Sequence, residues 1–155
     1  DRPSALLLSR QNLPYAPRAE ESAIARGAYV LADPAVEAPQ GVILATGSEV
    51  ALALKAQELL AADGVPVRVV SVPSTNVFDR QDAAYKASVL PAGLPRVAVE
   101  AGVTDGWWKY GCAAVVGLDR FGESAPGGVL FKHFGFTPEN VADTVRVALG
   151  LARRG

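Results

Sequence analysis

The 155-residue sequence contains no methionine, one cysteine and one histidine. A single thiol, Cys112, excludes an internal disulfide and a cysteine-rich metal site. It fits a reducing compartment. A lone histidine, His133, makes neither a metal cluster nor a proton relay by itself. No apolar run approaches the roughly 18–20 residues that cross a bilayer. Charge of neither sign is in excess. A net charge of −1 implies no basic face for nucleic acid. Without a methionine, the first residue is not where translation starts, and the first apolar run begins by about residue 5. We therefore expect a domain excised from a longer protein. What is present suits a globular domain: half the residues are apolar and a fifth are charged, enough for one core.

Apolar runs alternate with helical patterns. Runs at 5–8, 29–31, 42–45, 67–72, 96–100 and 113–116 read as strands. The 42–45 run ends at Thr46-Gly47-Ser48, and a helix is expected from about 49 to 62, closed by Asp63-Gly64. Asp79-Arg80-Gln81-Asp82 reads as a cap and acidic first turn for a helix reaching about Val89, stopped by Pro91. A short aromatic helix is expected near 106–111. Thr137-Pro138-Glu139 supplies an N-cap, a proline at N1 and an acid for a terminal helix. Its Val141, Val145, Ala148 and Leu149 share one face. Short strands separated by helices give an α/β three-layer sandwich, with a mostly parallel sheet of about five strands covered on both faces. The loops at 15–22, 32–41 and 119–129 are too short to divide the chain, so residues 1–155 read as a single domain.

Ligands on open α/β sheets sit beyond the carboxyl ends of the strands. Arg10 stands at such an end, after Leu6-Leu7-Leu8-Ser9. Its guanidinium matches a phosphate or carboxylate with two parallel hydrogen bonds. On pattern alone, pairing with a carboxylate of its own chain at a domain edge is slightly favoured. Thr46–Val50 forms a strand–turn–helix corner that can hold an anion. Glu49 repels one there, the segment is neither G-x-G-x-x-G nor a P-loop, and Ser48 reads better as a plain N-cap. Glu100 ends a strand with no partner acid or base nearby in sequence, which favours a structural hydrogen bond. Trp107-Trp108-Lys109-Tyr110 can stack on a ligand, though packing is commoner. His133, among aromatics, and Cys112 read as packing residues. No nucleophile–base pair, metal-ligand set or cofactor loop is complete.

Eight segments together resemble the transketolase family. They are Ser9-Arg10-Gln11-Asn12-Leu13-Pro14, Ala45-Thr46-Gly47-Ser48-Glu49-Val50, Val70-Ser71-Val72-Pro73-Ser74-Thr75, Phe78-Asp79-Arg80-Gln81-Asp82, Val89-Leu90-Pro91, Val97-Ala98-Val99-Glu100-Ala101-Gly102, Phe121-Gly122-Glu123-Ser124-Ala125-Pro126 and Phe134-Gly135-Phe136-Thr137. They follow family order over nearly the whole chain and match only the C-terminal, third domain.

The resemblance implies a cytoplasmic homodimer of the pentose phosphate and Calvin routes. Such an enzyme moves a two-carbon ketol unit from a ketose phosphate to an aldose phosphate. Its cofactors are thiamine diphosphate and a divalent metal (magnesium or calcium), held between the first two domains. The family's G-D-G…N pattern is missing from this sequence. The resemblance therefore implies no cofactor or metal on this chain, and an inactive isolated domain. The partners implied are the N-terminal and middle domains, a sugar phosphate and a second subunit, with no nucleic acid and no membrane. The arginine of the family's S-R-Q motif reaches the substrate phosphate, and here it is Arg10. No catalytic residue carries over. The family's sheet has one antiparallel strand, for which Tyr29-Val30-Leu31 is the candidate. A dihydroxyacetone synthase-type relative, with this domain purely structural, is the alternative parent.

Overall fold

The computed structural model describes residues 11–16, 21–35 and 38–153. The expected strand at 5–8 and Arg10 lie outside the described residues. Five strands form one sheet: β1 (Tyr29–Ala32), β2 (Gly41–Ala45), β3 (Val67–Ser71), β4 (Arg96–Val99) and β5 (Ala114–Val116). Their order is β1-β3-β2-β4-β5. β1 runs antiparallel to β3, and the other pairings are parallel. The antiparallel strand is the one expected.

Among the described residues six α-helices accompany the sheet: α1 (Val50–Ala62), α2 (Thr75–Asp79), α3 (Ala83–Val89), α4 (Asp105–Trp108), α5 (Gly127–His133) and α6 (Pro138–Ala148). Strand alternation divides the core in two. Ile43, Ala45, Val67, Val69, Val97 and Val99 face α1 and α6, meeting Ala53, Leu60, Val141 and Val145. Val42, Leu44, Val70 and Ala98 face the other way, toward Phe78, Val89, Trp107 and Tyr110 of the α2–α4 layer. A central strand covered on both faces must be apolar throughout, and all five residues of β2 are buried. Each large side chain so buried contributes about 1.5–3 kcal/mol.

The expected caps hold at three places. Asp63 closes α1, and Gly64 follows at φ +71°. Thr137 accepts from the Asn140 amide at 3.2 Å, with Pro138 opening α6. Asp82 accepts from the Tyr85 amide at 2.7 Å. The reading of Asp79 as part of that same cap is corrected. Ser74 caps a separate short helix, α2, and Asp79 is its last residue. Its carboxylate points instead at Lys109 and Tyr110. α5 was also not expected; it opens on two glycines, and none of its residues is buried.

Candidate functional site

β2 leads through α1 to β3 on one side, whereas β4 and β5 lie on the other side of β2. The topological switch point is therefore between β2 and β4, and their carboxyl ends open the crevice where α/β sheets take ligands. Two loops face each other there, 46–49 after β2 and 100–102 after β4. The first is a short 3-10 turn, Gly47–Glu49, leading directly into α1. Glu49 itself is the residue before the helix, which corrects the reading of Ser48 as N-cap. Ser48 sits inside the turn and its hydroxyl donates to Glu49 Oε1 at 2.5 Å. The other oxygen of Glu49 reaches across the crevice and accepts from the Ala101 amide at 3.4 Å. Glu49 is buried. The chain's own carboxylate thus occupies the corner where an anion would need free amides.

Below this bridge, a cavity of about 350 Å³ is lined by Thr46, Ser74, Glu100, Val103, Trp107 and Lys109 among others. Glu100 makes the structural bond expected of it, accepting from Trp107 Nε1 at 2.7 Å. Of the aromatic run, Trp107 and Tyr110 are core and Trp108 is exposed. The Tyr110 hydroxyl donates to Asp79 at 2.8 Å, and Lys109 pairs with the same carboxylate at 2.6 Å. The Lys109 hydrogen bond holds the Asp79 carboxyl below its ordinary range. Burial, then the adjoining Asp79, pushes the Tyr110 hydroxyl above its own. This triad ties α2 to the end of α4. Asp79 was visible in the sequence only as a supposed cap; nothing local pointed to a tyrosine 31 residues away.

The other candidates are dispersed. Cys112 is half-buried, and burial pushes its thiol up to about 11. His133 is exposed on α5, its ring set edge-on to Phe134 at 4.8 Å. Neither approaches the crevice residues through any hydrogen bond among the described residues. Residues 11–16 do lie at this edge. Gln11 shares a groove with Ala101 and Leu118, beyond the ends of β4 and β5. Leu13, Pro14, Tyr15 and Ala16 share another with Gly47, Ser48, Ser71 and Pro73, beyond β2 and β3. The segment that follows Arg10 in sequence therefore spans the carboxyl edge of the sheet.

Comparison with known proteins gives a consistent result. Residues 27–137 match the family described as the transketolase-like TK C-terminal domain. Transketolase 1 of Escherichia coli (strain K12) is 58% identical over 146 residues, covering 91% of this chain and 22% of that protein. The solved transketolase from Leishmania mexicana superposes with a TM-score of 0.84 at 45% identity, over 91% of this chain and 20% of that one. A Pichia stipitis transketolase solved in complex with sedoheptulose 7-phosphate gives 0.84 at 40% identity, over the same shares. The chain thus spans less than a quarter of the length of the curated relatives it matches, as their C-terminal part.

Proposed function

This chain belongs to the transketolase family as its C-terminal domain, and on that footing we propose that it is the third domain of a ketol-transferring enzyme whose substrate phosphate is held by Arg10. The parent moves a two-carbon unit from a ketose phosphate to an aldose phosphate as a cytoplasmic homodimer of the pentose phosphate route. Residues 1–155 form one domain of it. The observation that carries the role of Arg10 is the position of its neighbour. Gln11 lies at the carboxyl edge of the sheet, within the Ser9-Arg10-Gln11-Asn12-Leu13-Pro14 motif. The Pichia stipitis relative bound to sedoheptulose 7-phosphate supplies the ligand class.

The reacting centre is elsewhere. Thiamine diphosphate with a divalent metal supplies the carbanion chemistry of the parent enzyme, and this chain does not fit that group. The β2–α1 corner carries the buried Glu49 carboxylate where a diphosphate would need amides. Among the described residues, no cluster of His, Cys, Asp or Glu could hold a metal. On this reading the domain alone is inactive, because thiamine diphosphate and the metal bind between the first two domains. Its contribution is remote binding. A planar guanidinium on the phosphate fixes the far end of the sugar, and the energy of that contact orients the reacting carbons.

The test uses the full-length parent and Arg10→Ala, on a phosphorylated acceptor and on its unphosphorylated counterpart. Losing a charged bidentate contact lowers kcat/KM by about 2–5 kcal/mol on the phosphorylated substrate alone. An equal loss on both substrates, or none, reduces the domain to a structural partner. A dihydroxyacetone synthase-type parent is distinguished by its acceptor in the same assay.

A further inference from the structure

The cavity below the Glu49–Ala101 bridge carries more polar groups than the fold uses. It lies at the β2–β4 switch point, with a volume of about 350 Å³. Thr46 leads out of β2, and its hydroxyl makes no cap bond to the turn that follows. Thr75 opens α2, but the cap there is Ser74, whose hydroxyl accepts from the Val77 amide at 3.4 Å. Among the described residues the hydroxyls of Thr46 and Thr75 have no hydrogen-bond partner. Glu100 accepts from Trp107 Nε1 with one oxygen at 2.7 Å, and its other oxygen has no partner among the same residues. Lys109 gives one N–H to Asp79 at 2.6 Å and has donors left over. Glu100 and Lys109 line the same cavity, yet among the described residues no ion pair joins them.

The walls are fixed in advance. The Val72 amide donates to Ala45 O and the Ser74 amide to Gly27 O, each at 2.9 Å. Asp79 holds α2 to the end of α4 through Lys109 and Tyr110. Val72, Val103 and Trp107 add apolar surface. A preformed concavity of this size, with a few convergent polar groups, is the usual form of a small-molecule site. The polar groups select the ligand class. Glu100 needs a donor, Lys109 an acceptor, and each threonine takes either. Asp79 offsets the charge of Lys109, so Glu100 leaves the site net negative. A phosphate or carboxylate is repelled there. A neutral polyhydroxyl compound supplies donors and acceptors together and adds no charge. We propose that this cavity binds a small unphosphorylated polyol or sugar through Thr46, Thr75, Glu100 and Lys109. Nothing in it depends on Arg10 or on the substrate phosphate.

The probe is ribitol, which has neither a carbonyl to react nor a phosphate for Arg10 to hold. Hydrogen exchange is followed on the full-length parent with and without it. At about 0.1 M ribitol, a site with a Kd of about 10 mM is roughly nine-tenths filled. Amides at 46–48, 75–77 and 103–109 then slow at least about twofold, while those of α6 keep their rates. Thr46→Val and Thr75→Val each remove a hydroxyl that bonds to nothing in the domain, so neither costs the fold a hydrogen bond. Each weakens ribitol binding about fivefold, the share of one hydrogen bond. No slowing at these amides overturns the proposal. So does slowing that survives unchanged in the Thr46→Val/Thr75→Val variant, which puts the polyol elsewhere. Equal slowing by inorganic phosphate overturns the ligand class, since the site then takes anions. Arg10→Ala leaves ribitol binding unchanged, so failure of either experiment leaves the other standing.

Discussion

Arg146 is a buried cation on α6 that holds two carboxylates, Asp63 at the end of α1 and Asp143 one turn back on its own helix. Burial works against its charge, but the two hydrogen-bonded acids outweigh that and raise its pKa. Arg146→Ala takes a buried cation from between two half-buried acids, and urea denaturation should show a loss of about 1.5–3 kcal/mol. Asp79 acts in the other direction of pH. Its folded pKa lies below the ordinary 3.8, chiefly through the Lys109 hydrogen bond. Its contribution is therefore complete above that ordinary value and disappears as pH falls through the lower, folded one. Asp79→Asn should be less stable than wild type at pH 6 and lose that deficit in strong acid, as read from urea midpoints. Cys112, pushed up to about 11, holds little thiolate at pH 8. Its alkylation by iodoacetamide should run at least about tenfold slower than that of free cysteine.

Among the elements, the 3-10 turn Glu21–Arg26 meets the start of α2 through one glycine. Gly27 accepts from the Ser74 amide at 2.9 Å, with φ +85°. A Cβ there would lie 2.4 Å from the Phe78 amide nitrogen and 2.5 Å from the Ser74 carbonyl. Gly64 has a similar φ of +71° but open space around it. Gly64→Ala should thus cost about 1 kcal/mol of conformational strain, and Gly27→Ala clearly more, in thermal or urea unfolding. This contrast also shows what the sequence makes legible. Elements with a complete local signal were readable: the all-apolar β2, the Gly64 stop, the Thr137-Pro138-Glu139 start. α2 was not, because its cap, Ser74, follows Pro73 and its last residue, Asp79, imitates the cap that Asp82 provides. α5 was not, because two glycines open it and it buries no residue, so neither propensity nor periodicity marks it. The Glu49–Ala101 bridge joins positions 52 residues apart, a pairing only the sheet order creates.

At the scale of the whole molecule, the carboxyl edge of the sheet bears the switch point, plugged by Glu49, and the segment after Arg10. The mostly parallel sheet covered on both faces was legible from short strands separated by helices, and the antiparallel β1 only through the family resemblance; the strand order was not. The working role of the domain was not, since no residue type in it completes a chemistry, and the chain corresponds to less than a quarter of the length of its relatives. The most direct measurement is hydrogen exchange on the full-length parent with and without sedoheptulose 7-phosphate. If the carboxyl edge faces the substrate, amides 9–13 slow on binding while those of α6, such as 143–148, do not change. If amides 9–13 exchange at the same rate with and without the sugar phosphate, Arg10 does not hold it and the edge does not face the site.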